Sequence, residues 1–243
     1  MSRKILFGFH AVQVRLKIAP QTVDEVHVDA TRRDARMRHF IERVRAAGVQ
    51  LVDSDDARLT QLAGSARHQG VAARVQAMAQ QHSLDDLLDG VEGPPLVLVL
   101  DGVTDPHNLG ACLRVADGAG VHAVVAPKDH AVGISNTVAK VASGAAESVP
   151  YLMVTNLART LGELKERGLL IVGLADEVPD TFYDVDLAGP TALVLGAEGT
   201  GLRQLTRKTC DKLVRIPMCG AVESLNVSVA AGVCLYEARR QRG

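Results

Sequence analysis

Three short segments of this 243-residue chain combine side chains able to hold or polarise a reacting group with small residues that let a ligand come close. Asn108-Leu109-Gly110-Ala111-Cys112-Leu113-Arg114 brings an amide and a guanidinium. Leu193-Val194-Leu195-Gly196-Ala197-Glu198-Gly199-Thr200-Gly201 ends an apolar run in a glycine-studded turn around a carboxylate. Ile216-Pro217-Met218 leads into Ser224-Leu225-Asn226-Val227-Ser228. Arg114 is a permanent cation that can stabilise a developing anion. Glu198, Asn108, Asn226 and Ser224 can accept or donate hydrogen bonds, and Gly196 and Gly201 permit close backbone approach. Each also has a plainer use. Arg114 could be a surface ion-pair partner, Glu198 a solvated turn residue, and Ser224 or Asn226 the cap of the following helix. The capping and functional roles are compatible, because a helix N-terminus offers free N–H groups to a polar ligand.

The glycines do not follow the Gly-x-Gly-x-x-Gly order, and they come after a late strand, which argues against a dinucleotide site and a nicotinamide oxidoreductase. No Gly-x-x-x-x-Gly-Lys supports a nucleoside triphosphatase. Cys112, Cys210, Cys219 and Cys234 form no Cys-x-x-Cys pair, and the eight histidines show no metal-ligand spacing, so neither zinc nor a disulfide framework is expected.

The elements that must position these residues alternate. Apolar runs at Leu96–Leu100, His122–Ala126, Leu169–Leu174, Thr191–Leu195 and Lys212–Ile216 read as strands, with helical patterns at 108–119, 134–143, 155–167, 201–209 and 225–240. Continuous Val/Leu runs separated by helices predict an α/β fold with a parallel sheet covered on both faces. All three segments then fall beyond strand ends, where such sheets bind ligands. Asn108 is the expected N-cap of its helix. Leu113, Val115 and Ala116 put Arg114 on a mostly buried helix, where it needs an anionic or electron-rich partner.

Upstream, Val26–Val28, Leu51-Val52 and Gly70–Val75 are short strand candidates. Arg32–Ala47 reads as a helix with Met37, Phe40, Ile41 and Val44 inward and Arg32, Arg33, Arg36, Arg38, Arg43 and Arg45 outward. Residues 1–78 hold 13 Lys/Arg against 8 Asp/Glu, although the whole chain has a net charge of −1. A basic first part suits phosphate contact, and a solvated helix face explains the same arginines. The chain lacks Trp and has few Phe or Tyr, which disfavours a base-stacking single-strand binder. The polar, acidic stretch 79–95, closing with Gly93-Pro94-Pro95, reads as a linker between domains 1–78 and 96–243. Apolar runs are too short to span a membrane and no signal peptide opens the chain, so a cytoplasmic protein is expected.

In order and spacing, the three segments resemble the motifs of the SpoU/TrmH branch of the SPOUT RNA 2′-O-methyltransferases. The resemblance runs nearly end to end. Asp101-Gly102-Val103-Thr104-Asp105-Pro106-His107-Asn108 extends the first motif, and Gly8-Phe9-His10-Ala11-Val12 with His68-Gln69-Gly70-Val71 resembles the N-terminal domain of the subgroup acting on a guanosine of 23S rRNA. It implies a small α/β RNA-binding domain similar to ribosomal RNA-binding proteins, followed by a trefoil-knotted α/β domain that works as a homodimer on 23S rRNA or an assembling large-subunit particle. It implies S-adenosyl-L-methionine as cofactor, touched by Gly196, Ile216 and Leu225 with Gly201 and Met218 nearby, and a polar set of Asn108, Arg114, Glu198, Ser224 and Asn226. No metal is required, because a sulfonium already activates the methyl group. Glu223, just before the third motif, is a position that varies among relatives and bears on fine substrate preference. Ribose methylation of tRNA, or a catalytically silent RNA-binding or ribosome-assembly protein, are the alternatives. The separate N-terminal domain speaks against the first, and intact Arg114, Glu198 and Asn226 against the second.

Overall fold

A computed structural model describes residues 3–76 and 83–243. The chain separates into two compact units, Met1–Gln81 with Ser143–Ser148, and His82–Ala142 with Val149–Gly243. Among the described residues no helix is long and apolar enough to cross a membrane.

The first unit is a four-stranded mixed sheet of order β1-β4-β2-β3. Its elements are β1 (Arg3–Phe7), α1 (Phe9–Ile18), β2 (Val23–Asp29), α2 (Ala35–Ala46), β3 (Gln50–Ser54), α3 (Asp56–Ala63) and β4 (Val71–Gln76). Val26, Val28, Val71, Ala73 and Val75 of the sheet close a core with Phe9, Val12, Met37, Phe40 and Val44. The helix expected from Arg32 begins at Ala35 instead, because the Asp34 carboxylate accepts from the Met37 N–H and caps it. Strand β1 and helix α1 escape the sequence reading for a physical reason. An edge strand with a single buried residue, Leu6, has almost no apolar pattern to reveal it. The short helix Ala145–Ser148, α7, groups with this unit, and its Glu147 pairs with Lys4 and with the buried Arg15.

The second unit is a six-stranded sheet of order β10-β8-β9-β5-β6-β7, and every pairing in it is parallel. It runs through α4 (Leu84–Asp89), β5 (Leu96–Asp101), α5 (Pro106–Ala119), β6 (Ala123–Pro127), α6 (Asn136–Ala142), β7 (Tyr151–Val154), α8 (Leu157–Glu166), β8 (Leu170–Leu174), β9 (Thr191–Gly196), α9 (Gln204–Thr209), β10 (Lys212–Val214) and α10 (Val227–Arg242). The expected α/β class, a parallel-sheet domain preceded in sequence by a smaller α/β one, is the observed one. Val97, Val99, Val125, Ile171 and Val194 pack with Leu157, Leu161 and Leu164 of α8 on one face. On α5 and α10, Leu109, Cys112, Leu113, Cys234 and Leu235 are buried. Strand β7 is half-exposed throughout, which is why no apolar run announces it.

Of the stretch read as linker, 79–82 lies outside the described residues. The remainder contains α4, which has a capping box between Ser83 and Asp86 and sends Leu88 into the core beneath α8. Helix α9 starts at Gln204, not 201, because Gly201 is in the left-handed region at φ 64°. Strand β10 stops at Val214, two residues before the expected end.

Glycine positions show how tightly α5 is seated. A Cβ on Gly110 would lie 2.6 Å from Cβ of Val141 and 3.0 Å from the carbonyl oxygen of Val138 on α6. A Cβ on Gly162 of α8 would meet nothing within 4 Å. Gly110→Val should therefore destabilise the protein by about 1–3 kcal/mol through overpacking. Gly162→Ala should stabilise it by ~0.5–1 kcal/mol by raising helix propensity. Urea denaturation of the two variants should shift the midpoint in opposite directions.

Candidate active site

The C-terminal ends of β8, β9 and β10 open on one cleft of about 300 Å³. Leu174, Leu195, Ile216, Met218, Leu225 and Ala230 give it apolar walls; Asp176, Glu198, Glu223 and Ser224 give it polar ones. Gly196, Ala197, Gly199 and Gly201, with Val227 at the start of the last helix, complete the lining. The turn after β9 folds back on itself. Gly201 N–H donates to the Ala197 carbonyl at 2.9 Å, and any Cβ on Gly196 would lie 2.1 Å from the carbonyl carbon of Gly201. Glycine at 196 is thus a steric requirement of the loop, independent of any ligand.

Asp101, at the end of β5, anchors this turn from below. Its buried carboxylate accepts from the Arg203 side chain at 2.6 Å and from the Arg203 backbone N–H at 3.0 Å, fixing the start of α9. A smaller recess of about 110 Å³ adjoins, lined by Gly102, Val103, Thr104, Asp105, Asn108, Ala197, Glu198 and Val227.

Glu198 joins the three segments. Its Oε1 accepts from the side-chain amides of Asn226 and Asn108 and from the Val227 N–H. Asn226 also donates to Oδ1 of Asn108 at 2.9 Å. Asn226 is the cap of α10, its Oδ1 accepting from the Ser228 N–H at 3.0 Å and the Ser228 hydroxyl at 2.6 Å. Of the two caps considered, Asn226 is therefore the one used, and its amide nitrogen stays free to bind the other segments. Asn108 does not cap α5. Asp105 does, accepting from the His107 N–H at 2.9 Å, because Pro106 lacks an N–H and its fixed φ suits the first helical position. The earlier start leaves the Asn108 amide free to reach Glu198.

The structure thus gathers Gly196, Gly201, Ile216, Met218, Leu225, Ser224 and Glu198 around one cleft, with Asn108 and Asn226 hydrogen-bonded beside it. Arg114 is not among them. It is exposed, lines neither cavity and has no described protein partner, against the expectation that an arginine on a mostly buried helix needs an anionic or electron-rich one. Leu113 and Ala116 take the inner face of α5, and Arg114 takes the outer one. Leu174 and Asp176 were missed. They follow the β8 run, and the strand-end rule applied to the other segments would have found them.

Against known families, residues 95–236 match the SpoU rRNA Methylase family and residues 5–81 match the RNA 2′-O ribose methyltransferase substrate binding domain. The chain belongs to the SpoU methylase family. A relative from Ralstonia nicotianae, a 23S rRNA (guanosine-2′-O-)-methyltransferase RlmB, is 63% identical over 98% of this chain and 96% of its own length. The solved SpoU methyltransferase AviRb of Streptomyces viridochromogenes, in complex with AdoMet, is similar with a TM-score of 0.77 and 26% identity, covering 99% of this chain and 90% of that one. A TrmH/SpoU tRNA modifying enzyme of A. aeolicus is 34% identical with a TM-score of 0.57, but covers 65% of this chain and 82% of its own. Membership of this family accounts for three distant segments meeting at one strand-end cleft.

One thiol lies beside that cleft. Cys219 follows Met218 and is exposed, whereas burial pushes the thiols of Cys112 and Cys210 up to about 12 and about 11 and raises that of Cys234 as well. In the native protein at about pH 8, iodoacetamide should label Cys219 well ahead of the others. A cofactor seated in the cleft should slow that labelling. Peptide mass spectrometry checks both outcomes; early labelling of Cys112 or Cys234 would show that the packing of α5 and α10 is looser than described.

Proposed function

We propose that this protein methylates the ribose 2′-hydroxyl of a guanosine in 23S rRNA, in the peptidyl-transferase region, using S-adenosyl-L-methionine. The observation that carries the reading is the meeting of Asn108, Glu198 and Asn226 at the rim of a strand-end cleft, in a chain similar over nearly its whole length to 23S rRNA guanosine-2′-O-methyltransferases. The cleft fits the cofactor in size and donor set: it sits at the small end of ordinary ligand pockets, its apolar walls suit a flat purine, and its glycine turns present backbone groups. When bound, S-adenosylmethionine supplies a methyl group already activated by its sulfonium. We assign Gly196, Ile216 and Leu225, with Gly201 and Met218, to the cofactor, and Asn108, Arg114, Glu198, Ser224 and Asn226 to the polar active-site set.

A ribose hydroxyl is a weak nucleophile and loses its proton as it attacks, so the protein's task is to orient it and stabilise the developing alkoxide. The Glu198 network holds the first turn of α5 against the start of α10, which keeps both helices in register with the cleft. Arg114 has the charge for the alkoxide and binds its own proton too firmly to act as a base, so water or phosphate takes the ribose proton. Its exposure, free of any described protein partner, is what an arginine reserved for substrate requires. A homodimer is part of this reading. Val229 and Tyr236, seven residues apart on one face of α10, are 51% and 55% exposed, an apolar surface suited to a second copy. A cytoplasmic location is part of the same reading.

In the first unit, Arg36 lies over the Phe9 ring at 4.3 Å, and Arg32 is held between Asp34 and the Gln69 carbonyl. Gln69 takes a left-handed φ of 55°, its loop secured by the buried His68 ring, whose Nδ1 accepts from the Gly70 N–H at 3.0 Å. The two N-terminal motifs are in contact: the Gly8 N–H donates to the Val71 carbonyl at 3.0 Å. This surface, with Arg33 and Arg36 exposed, is our candidate for RNA contact. A ribose methyltransferase for rRNA is favoured over one for tRNA because the A. aeolicus tRNA modifying enzyme covers only 65% of this chain.

Three measurements test the reading. Arg114→Ala should lower methyl transfer by on the order of 10²-fold or more while leaving cofactor affinity nearly unchanged, and Arg114→Lys should also be poor for want of the planar donor fork. Near-normal turnover in either would move the role elsewhere. Replacing Arg33 and Arg36 by Gln should weaken RNA binding and reduce the salt slope by about 1.4–1.8, with turnover at saturating RNA changing less. Purified protein offered 23S rRNA and tRNA together should label 23S rRNA at a guanosine ribose; preferential labelling of tRNA, or a methylated base, would overturn the assignment.

A further inference from the structure

The cleft is electrostatically one-sided. Among the described residues that line it, the charged side chains are Asp176, Glu198 and Glu223, all carboxylates, and none is Lys or Arg. Glu198 is occupied by Asn108, Asn226 and the Val227 N–H. Arg203 and Arg207, just past the Gly201 turn, are engaged by Asp101 and by Glu177. Asp176 and Glu223 have no such partner in the described structure. They come from separate segments, one just past β8 and the other just before Ser224, yet line the same cavity; burial, then Glu177 and then Glu223 raise the carboxyl pKa of Asp176. Two exposed carboxylates brought to one cavity without a counter-charge repel each other, and a cation seated between them relieves that repulsion.

We propose that Asp176 and Glu223 recognise the sulfonium of S-adenosylmethionine, making the cleft bind the loaded donor in preference to the spent S-adenosylhomocysteine. The inference rests on the cleft being the cofactor site. The chemistry distinguishes the two ligands by one charge. Donor and product share the adenosine and the amino-acid end, but the donor's sulfur is a cation and the product's is a neutral thioether. A wall of negative potential therefore holds the first more strongly than the second, and the attraction vanishes with the transferred methyl group. This would speed release of product, since nothing in the wall rewards a neutral sulfur. Both carboxylates are exposed, so screening limits the effect and makes it depend on salt.

The test is isothermal titration of the full-length protein with S-adenosylmethionine, S-adenosylhomocysteine and 5′-methylthioadenosine, at low and high ionic strength. In Asp176→Asn and Glu223→Gln, affinity for the donor should fall about two- to fivefold each, and about tenfold in the double variant, with changes under about twofold for the two neutral-sulfur ligands. The wild-type preference for the donor should shrink as salt is added. Equal losses for all three ligands would overturn the proposal, because the carboxylates would then be contacting the shared ribose. So would equal losses for donor and product but not for methylthioadenosine, which would assign them to the amino-acid end. Unchanged affinity throughout overturns it too. Leu225→Ala separates this from failure of the underlying reading. As a cleft wall it should weaken all three ligands several-fold; if it weakens none in a variant whose melting temperature is unchanged, the cofactor binds elsewhere.

Discussion

One carboxylate oxygen on Glu198 receives hydrogen bonds from two segments, around Asn108 and around Asn226 and Val227, that lie 118 residues apart in sequence at their amide contact. The rest of the site depends on that convergence. Glu198 can reach both helices because the turn carrying it is closed tightly by Gly196 against Gly201 and is pinned from beneath by Asp101 through Arg203. Charge-assisted bonds at Asp101 are strong where one partner is buried. The Glu198 contacts are more exposed, so they are better understood as fixing geometry than as a large store of stability.

The sheet supplies the rigid base for this arrangement. Every strand of the second unit is parallel, so all C-terminal ends lie at one edge, and the turns after β5, β8, β9 and β10 must meet there. Helices α5 and α10 pack closely across this base: a Cβ on Gly118 would lie 2.8 Å from the Tyr236 hydroxyl. Small residues on α5 thus let Asn108 and the start of α10 stay within reach of one carboxylate. At the opposite edge Arg242 donates to the carbonyls of Pro94, Leu187 and Gly189, tying the last turn of α10 to the entrances of β5 and β9. The single helix that closes the cleft is therefore held at both of its ends.

The proposed function divides along the same physical lines. The second unit concentrates negative charge at its cleft, while the first carries exposed arginines and a left-handed loop at Gln69, secured by a buried histidine. A cationic donor and a polyanionic RNA need opposite potentials. In the proposed function the arginines of the first unit add RNA affinity, and only the reacting ribose has to approach the negative cleft of the second.

Much of this is legible in the sequence. Long Val/Leu runs buried on both faces identify central parallel strands, and the second and third motifs name most of the cleft: Gly196, Gly201, Ile216, Met218, Ser224 and Leu225 all line it. Elements with little apolar contrast, such as β1 and β7, left no periodic trace. Helix α4 was hidden because its acidic surface made the segment resemble a linker, although Leu88 is buried. Local sequence also could not choose between Asn108 and Asp105 as a cap, or say which side of α5 Arg114 would take. Nor did it bring Asp176 to the same cavity as Glu223. Residue type and spacing determine which side chains are available at a strand end. Which of them face one another is set by strand order and helix packing, because the partners lie on different turns and meet only when the sheet is assembled.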